Sequence, residues 1–214
     1  ARSYAEWLEP APGSVGVIAN AVADWAVAAE PRPAAPAAPP RVLGLFRLAP
    51  EKRPLDFVDT VARLLPAFPD LRATLCGDGS LRQAVAAHIE ALGLSGRIEL
   101  AGPVTDVATR LADATLLLHT AEAEGMPNVL LEAQAMGVPV ISSRAAGSLG
   151  ALAPVLHPFT AEIGDTAGLA AAAARLLGDR KDAVRLGHAA ADYVRSHFTM
   201  EQLIDHTLAA LHGR

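Results

Sequence analysis

Between Arg41 and Ser142, short apolar runs alternate with helical patterns at nearly even intervals, and this rhythm constrains the chain more than any other feature. Strands are read at Arg41 to Phe46, Leu71 to Cys76, Arg97 to Leu100, Thr115 to Leu118 and Pro139 to Ser142. Helices are read between them, at Leu55 to Leu65, Leu81 to Leu92, Val104 to Leu111 and Asn128 to Met136. Successive βα units pair their strands in parallel and lay helices over the sheet. The expected fold is therefore α/β, a Rossmann-like doubly wound parallel sheet with helices on both faces. In such sheets ligands sit where strand carboxyl ends meet helix amino ends, so functional residues are expected in the βα loops.

The flanks read differently. From Thr166 no strand pattern remains, and three helices are expected, at roughly 166 to 178, 181 to 196 and 199 to 212. Residues 1 to 40 contain a short helix pattern at Ala1 to Leu8, an extended Ser14 to Asn20, an Ala-rich turn and the polyproline stretch Pro31 to Pro40, a semi-rigid spacer. The division expected is residues 1–40 as the end of a preceding domain plus a Pro-rich linker, 41–196 as the Rossmann-like domain, and 197–214 as a C-terminal crossover helix. The first residues carry neither Met nor a signal-peptide pattern, as expected of a chain cut from something longer.

Composition narrows the function. Hydrophobic residues make up 51% of the chain, but no apolar run approaches the roughly 20 residues of a membrane span. A formal charge of −5 argues against a nucleic-acid groove or a polybasic membrane patch. The single cysteine, Cys76, lies in an apolar run, cannot form an internal disulfide, and reads as a buried core thiol in a reducing compartment.

The most informative segment is Glu124-Gly-Met-Pro-Asn-Val-Leu-Leu-Glu132. Pro127 suits the first turn of a helix and Gly137 its end, which places Glu124 in the loop and Glu132 on the helix. Unpaired N–H groups from about Met126 to Leu130, with the helix dipole, would present partial positive charge to a nucleoside diphosphate without a metal. Glu132 lies about 6 Å further along the helix, the step from diphosphate to ribose, where a carboxylate can accept from both hydroxyls of the diol. A second constellation, Phe46-Arg47-Leu-Ala-Pro-Glu-Lys52, puts a guanidinium and an ammonium in the first βα loop, where they could neutralise a diphosphate leaving group. By itself such a pair more often means two solvated side chains. The Gly-rich Cys76-Gly-Asp-Gly-Ser80 reads as a tight turn with Ser80 capping the next helix, not as a dinucleotide fingerprint. No metal site is read, since the histidines at 88, 119, 157, 188, 197, 206 and 212 form no H-E-x-x-H pattern and no Asp-x-Asp pair occurs. His119, just past a buried strand and five residues before Glu124, is the histidine worth naming. A G-x-S-x-G elbow and a Walker loop are absent.

Together these segments resemble the C-terminal domain of the retaining glycosyltransferases of the two-Rossmann-domain GT-B class, family 4 or "group 1". The resemblance runs from Val15 to the last helix. Ser14 to Asp24 is similar to the family's "IPNGVD" linker strand, Leu45 to Lys52 to "GRL-x-x-x-K", Leu75 to Gly79 to "ivGdG", and Ile98 to Gly102 to "v-x-f-x-G". Glu124 to Glu132 matches the E-x7-E motif, and Glu132 to Val140 the "EAmA-x-G-x-PV" after it. The resemblance implies that Arg47 and Lys52 bind the donor diphosphate and that Glu132 takes the ribose hydroxyls. Glu124 would hold the donor sugar and distal phosphate, together with the backbone of Gly125, Met126, Pro127 and Asn128 and the adjoining Val129.

It further implies retention of anomeric configuration without a metal or cofactor, by reaction on one face, with the departing diphosphate helping to deprotonate the acceptor. No carboxylate then acts as a nucleophile. Phe46 stands where the family has Gly, Ala21 replaces the Gly of "NG", Ala146-Gly147 replaces Gly-Gly, Gly150 replaces a Glu, and Leu156 to Thr160 replaces a "tG" loop. These departures bear on the sugar side more than on the phosphates and ribose. "EGMPNVLLEA" resembles members that build bacterial surface polysaccharides, which favours a UDP-sugar donor.

A glycan or lipid-linked acceptor would bind through a missing N-terminal domain, so the isolated domain is expected not to catalyse transfer. The full-length protein would be cytoplasmic, peripheral to the inner membrane face, and the last helix would pack on the missing domain, leaving an apolar patch here. Two other readings compete: a non-catalytic nucleotide-sugar-binding or scaffold module, which the departures favour, and a sugar-nucleotide epimerase, which lacks the E-x7-E segment.

Overall fold

The computed structural model describes residues 18–29 and 39–212. The helix pattern at Ala1 to Leu8 and most of the extended and polyproline stretches lie outside the described residues. Six parallel strands form one sheet in the order β3-β2-β1-β4-β5-β6: β1 Arg41–Leu45, β2 Arg72–Cys76, β3 Ile98–Gly102, β4 Leu116–His119, β5 Val140–Ser143 and β6 Thr160–Ala161. This is the doubly wound order, and the chain changes direction across the sheet between β1 and β4, where a crevice opens at the strand carboxyl ends. The expected α/β architecture is what the chain forms.

Burial explains the strand sequences. All residues of β4 and β5 are buried, as central strands covered on both faces must be, and both read as continuous runs rather than alternations. Strand β2 alternates more, with Arg72 exposed and Ala73, Leu75 and Cys76 buried. After a 3-10 turn at Pro50–Lys52 comes α2 (Pro54–Leu64), following α1 (Asp24–Ala28) of the linker. Helix α2 buries Phe57, Val58, Val61 and Leu64 at helical spacing. Next come α3 (Arg82–Ala91), α4 (Val107–Asp113) and α5 (Asn128–Ala135). Gly137, at φ 74°, ends the α5 segment in the left-handed conformation expected of it. The three C-terminal helices are α7 (Thr166–Gly178), α8 (Arg180–His197) and α9 (Met200–Leu211), close to their expected bounds.

The stretch from Ala146 to Ala161 was not legible as structure. It forms α6 (Ala146–Ala151), a 3-10 turn at Pro154–Phe159 and the two-residue β6. Buried Gln134 organises it: its Nε2 donates to the carbonyls of Leu130 (2.7 Å) and Ala151 (2.8 Å), and its Oε1 accepts from Ala153 N–H (2.7 Å). A side chain saturated with backbone partners substitutes for a regular connection between α5 and this segment.

The segment 18–29 is fastened to the α/β body. Val22 N–H donates to Phe198 O (2.8 Å), and Arg195 Nη2 on α8 donates to Ala135 O at the end of α5 (2.8 Å) and to Ala29 O. Helix α9 opens with a capping box of Thr199 and Gln202 but buries none of its side chains. Met200, Ile204, Leu208 and Leu211 recur along it as an exposed apolar stripe, the kind of patch the sequence led us to expect. Among the described residues no helix is long and apolar enough to cross a membrane.

Candidate functional site

Three βα loops converge at the carboxyl ends of β1, β2 and β4. The loop after β1 carries Arg47 and Lys52, and the Gly-rich turn after β2 supports it from below. Leu48 N–H donates to Asp78 O (2.9 Å) and Leu81 N–H to Leu48 O (2.8 Å). Gly77 has φ +135°, and a Cβ there would lie 2.0 Å from Phe46 O. The turn is glycine because backbone meets backbone, so Gly-Asp-Gly shapes the site by bracing the first loop. Ser80 does not cap the next helix as expected: Leu81 occupies the N-cap position without a side-chain cap bond.

The end of β4 holds the same loop from the other side. Thr120 Oγ1 donates to the carbonyls of Lys52 (2.9 Å) and Arg53 (3.1 Å), and Glu122 N–H donates to Glu51 O (2.9 Å). Arg53 follows at φ 49°, a left-handed conformation for a residue with a Cβ, held by ion pairs to Asp56 (2.6 Å) and Glu122 (3.2 Å).

This framework brings Lys52, Glu124 and His119 together. Lys52 Nζ lies 2.5 Å and His119 Nε2 2.9 Å from the same carboxylate oxygen, Glu124 Oε1. The side chains are 13% (Lys52), 10% (Glu124) and 2% (His119) exposed, so the pair is shielded from water. Burial works to raise the pKa of Glu124, but the hydrogen bonds from His119 and Lys52 outweigh it and hold the carboxyl below its ordinary value. Glu124 is thus an anion at neutral pH, and Oε2 remains to accept from a ligand.

Helix α5 begins four residues later. Pro127 occupies its N-cap position in an extended conformation, one residue before the first turn where it was expected. Leu130 N–H is already bonded to Pro127 O (3.1 Å), and proline has no N–H, so the donors at the helix mouth shrink to those of Met126, Asn128 and Val129. Glu132, one turn into the helix, is half-buried, and its carboxylate has no hydrogen-bond or ion-pair partner among the described residues. Burial alone pushes its carboxyl above the ordinary range. An unpaired carboxylate partly withdrawn from water is an acceptor waiting for donors.

Arg47 stands apart from the cluster. Its side chain is 74% exposed and bonded to Glu51 Oε1 at 2.7 Å. Phe46 fills the interior instead, with its ring edge-on to His119 at 5.7 Å and to Phe57 at 6.2 Å. One other departure from the family pattern, Ala146 in place of the first glycine of the Gly-Gly pair, has a steric account. A Cβ on Gly147 would lie 1.9 Å from Gly125 O, because α6 crosses directly over the loop, whereas Ala146 is exposed and its methyl is free. The glycine that the crossing demands is kept and the other is not.

Asn20 of the linker was not singled out in the sequence, yet it seals the loop. Its Nδ2 donates to Met126 O (3.1 Å) and Asn128 Oδ1 (2.9 Å), and its N–H approaches Met126 Sδ (3.3 Å). Its place in the "IPNGVD"-like stretch was the available signal. Cys76 is buried and free, and burial raises its thiol pKa. Among the described residues no group of three or more His, Cys, Asp or Glu side chains is placed to hold a metal.

Comparison with known proteins finds relatives of the chain and of its fold. The family model described as glycosyl transferases group 1 matches residues 39–179. The Vi polysaccharide biosynthesis protein VipC/TviE of Salmonella typhi is 32% identical over 164 residues, 75% of this chain and 28% of that protein. The lipopolysaccharide core biosynthesis glycosyltransferase LpsE of Rhizobium meliloti is 30% identical over 176 residues, 82% of this chain and 51% of that one. This chain therefore spans only part of the relatives' length. Among solved structures, Anabaena Alr3699/HepE in complex with UDP-glucose superposes with a TM-score of 0.74 at 23% identity, covering 81% of this chain and 49% of that one. At that identity the likeness establishes the fold.

Proposed function

The chain belongs to the group 1 glycosyl transferases, and we propose that it forms the donor-binding half of a retaining, metal-independent enzyme that transfers a sugar from a nucleoside diphosphate. The observation that carries this reading is the shielded Lys52–Glu124–His119 cluster beside the amino end of α5, with the unpaired Glu132 one turn further on.

The parts divide the donor by charge. The diphosphate lies at the mouth of α5, where free N–H groups and the helix dipole meet it, and Lys52 supplies the compact positive charge. Arg47, mobile enough at its exposed position to leave Glu51, closes on the phosphates from the solvent side. A carboxylate repels phosphate but accepts from hydroxyls, so Glu124 serves the sugar while the backbone from Gly125 to Val129 serves the distal phosphate. Glu132 takes the ribose diol about 6 Å along the helix.

Neutralising the diphosphate lowers the cost of its departure, and the departing oxygen is then placed to accept the proton of an acceptor hydroxyl on the same face. The acceptor binds to a domain outside this chain, and closure of the two halves aligns the reacting atoms. A UDP-sugar is the favoured donor, supported by the UDP-glucose complex of the similar Anabaena protein. Surface polysaccharide or lipopolysaccharide synthesis is the favoured setting, supported by the named roles of the Salmonella and Rhizobium relatives.

Calorimetric titration with UDP, GDP, UDP-glucose, UDP-N-acetylglucosamine and GDP-mannose in the presence of a chelator tests the reading. One nucleotide series should bind, and Lys52→Ala and Glu132→Ala should each weaken it about tenfold, the cost of one charge-assisted hydrogen bond. A folded chain that binds none of them would refute the donor site.

A further inference from the structure

His119 has no part in the assignments above, yet it is the most deeply buried polar side chain of the cluster, 2% exposed at the carboxyl end of β4. We propose that His119 is the positioning residue of the donor-sugar site, holding the Glu124 carboxylate so that its second oxygen faces the sugar. The inference rests on the donor-site reading and deepens it.

The geometry separates the jobs of the two groups on Glu124. Lys52 and His119 share Oε1, at 2.5 and 2.9 Å. Once Lys52 turns to a phosphate, Glu124 loses that partner. A carboxylate only 10% exposed, with no remaining partner, would be costly to keep charged and free to rotate. His119 is the partner that stays. It cannot follow a ligand, because its ring is enclosed with Phe46 edge-on at 5.7 Å and it sits on a strand whose four residues are all buried. Because a carboxylate only accepts, Nε2 is the nitrogen that donates.

The neighbouring Thr120 holds the backbone that carries Lys52, with bonds to the carbonyls of Lys52 and Arg53. The end of β4 thus fixes both members of the pair, one through a side chain and one through the main chain. Phe46, the bulky replacement for a family glycine, packs edge-on against the imidazole at 5.7 Å. The departure at Phe46 is accounted for as packing against this histidine.

The test compares binding of UDP with UDP-glucose, and of GDP with GDP-mannose, in the wild-type chain, His119→Phe and His119→Gln, with thermal melts to establish folding. Phenylalanine preserves the ring packing and removes the donor, whereas glutamine restores an N–H at similar reach. The expected result for His119→Phe is sugar-nucleotide binding weakened about tenfold, with the bare nucleoside diphosphate bound within about twofold of wild type. His119→Gln should recover most of the loss. Should Phe overpack, His119→Leu makes the same deletion with less volume. Equal loss for diphosphate and sugar nucleotide would show a merely structural role and overturn the inference, as would unchanged binding or a glutamine variant no better than phenylalanine. If the wild-type chain binds no nucleotide at all, the donor-site reading falls and this inference with it.

Discussion

Replacing Lys52 by methionine removes one charge from a pair that is almost fully shielded, with Lys52 13% and Glu124 10% exposed. Removing one partner of a buried pair costs about 3 to 5 kcal/mol because the other charge is left behind. Here His119 still donates to Glu124, so the lower end, about 3 kcal/mol, is expected at neutral pH. For a chain of this size each kcal/mol shifts the melting temperature by about 2 to 4 °C, so Lys52→Met should melt about 6 to 12 °C lower. The pH dependence has a definite sign. Glu124 titrates lower in the folded chain than its ordinary value, so its stabilisation is complete above the unfolded pKa of about 4.3 and is lost as pH falls through the folded value.

The deficit of Lys52→Met should therefore be largest at pH 7 and narrow in acid. Arg47→Met is the internal control: it breaks an ion pair in the same loop whose arginine is 74% exposed, and should change stability by less than about 0.5 kcal/mol. Thermal melts across pH 3.5 to 7.5 would decide it. Equal melting temperatures for Lys52→Met and wild type at pH 7, or a deficit that grows in acid, would refute the argument that this pair is shielded and charged.

Three further outcomes follow from the same geometry. The pKa of Glu132 is raised by burial without a partner, so its charge costs stability progressively as pH rises from the unfolded pKa and fully above the folded one; Glu132→Gln should melt higher than wild type at pH 7, with the gain vanishing in acid, while nucleotide binding by calorimetry falls about tenfold. Gly147→Ala places a methyl 1.9 Å from Gly125 O and should destabilise by about 1 to 3 kcal/mol in denaturant melts, with weaker donor binding because the loop before α5 must move. Gly77→Ala, where φ is +135° and the new methyl would meet Phe46 O at 2.0 Å, should cost at least as much and shift the whole Lys52 loop in an amide correlation spectrum.

The sheet was legible because each strand is a short apolar run and each helix an amphipathic stripe, so five of the six strands and the principal helices follow from periodicity alone. Strand β6 has two residues, too few for any pattern, and the segment before it is held by the buried amide of Gln134 rather than by its own propensities. Within the site, Lys52 and Glu124 were legible from their motifs, and the structure brings them together across a sequence separation that no spacing rule could bridge. Arg47 lies where the motif puts it, but bonded to Glu51, because residues four apart in this turn bring the guanidinium and the carboxylate within reach of each other. The roles of His119, Thr120 and Asn20 depend on contacts between loops, which pairwise reading along the chain does not reveal. Ser80 misled because a serine before a helix is a common cap, whereas here the Gly-rich turn spends its geometry on bracing the first loop.

The central claim, that the mouth of α5 with Lys52 and Glu132 receives a nucleoside diphosphate without a metal, is tested most directly by mapping amide shifts. The isotopically labelled chain would be titrated with UDP-glucose, and with GDP-mannose in parallel, in excess chelator. The account predicts that the largest perturbations fall on the amides of Met126, Asn128 and Val129 and on the Lys52 loop, saturating together with one affinity. Saturable binding with these amides unmoved, or binding that appears only when a divalent metal is restored, would contradict it.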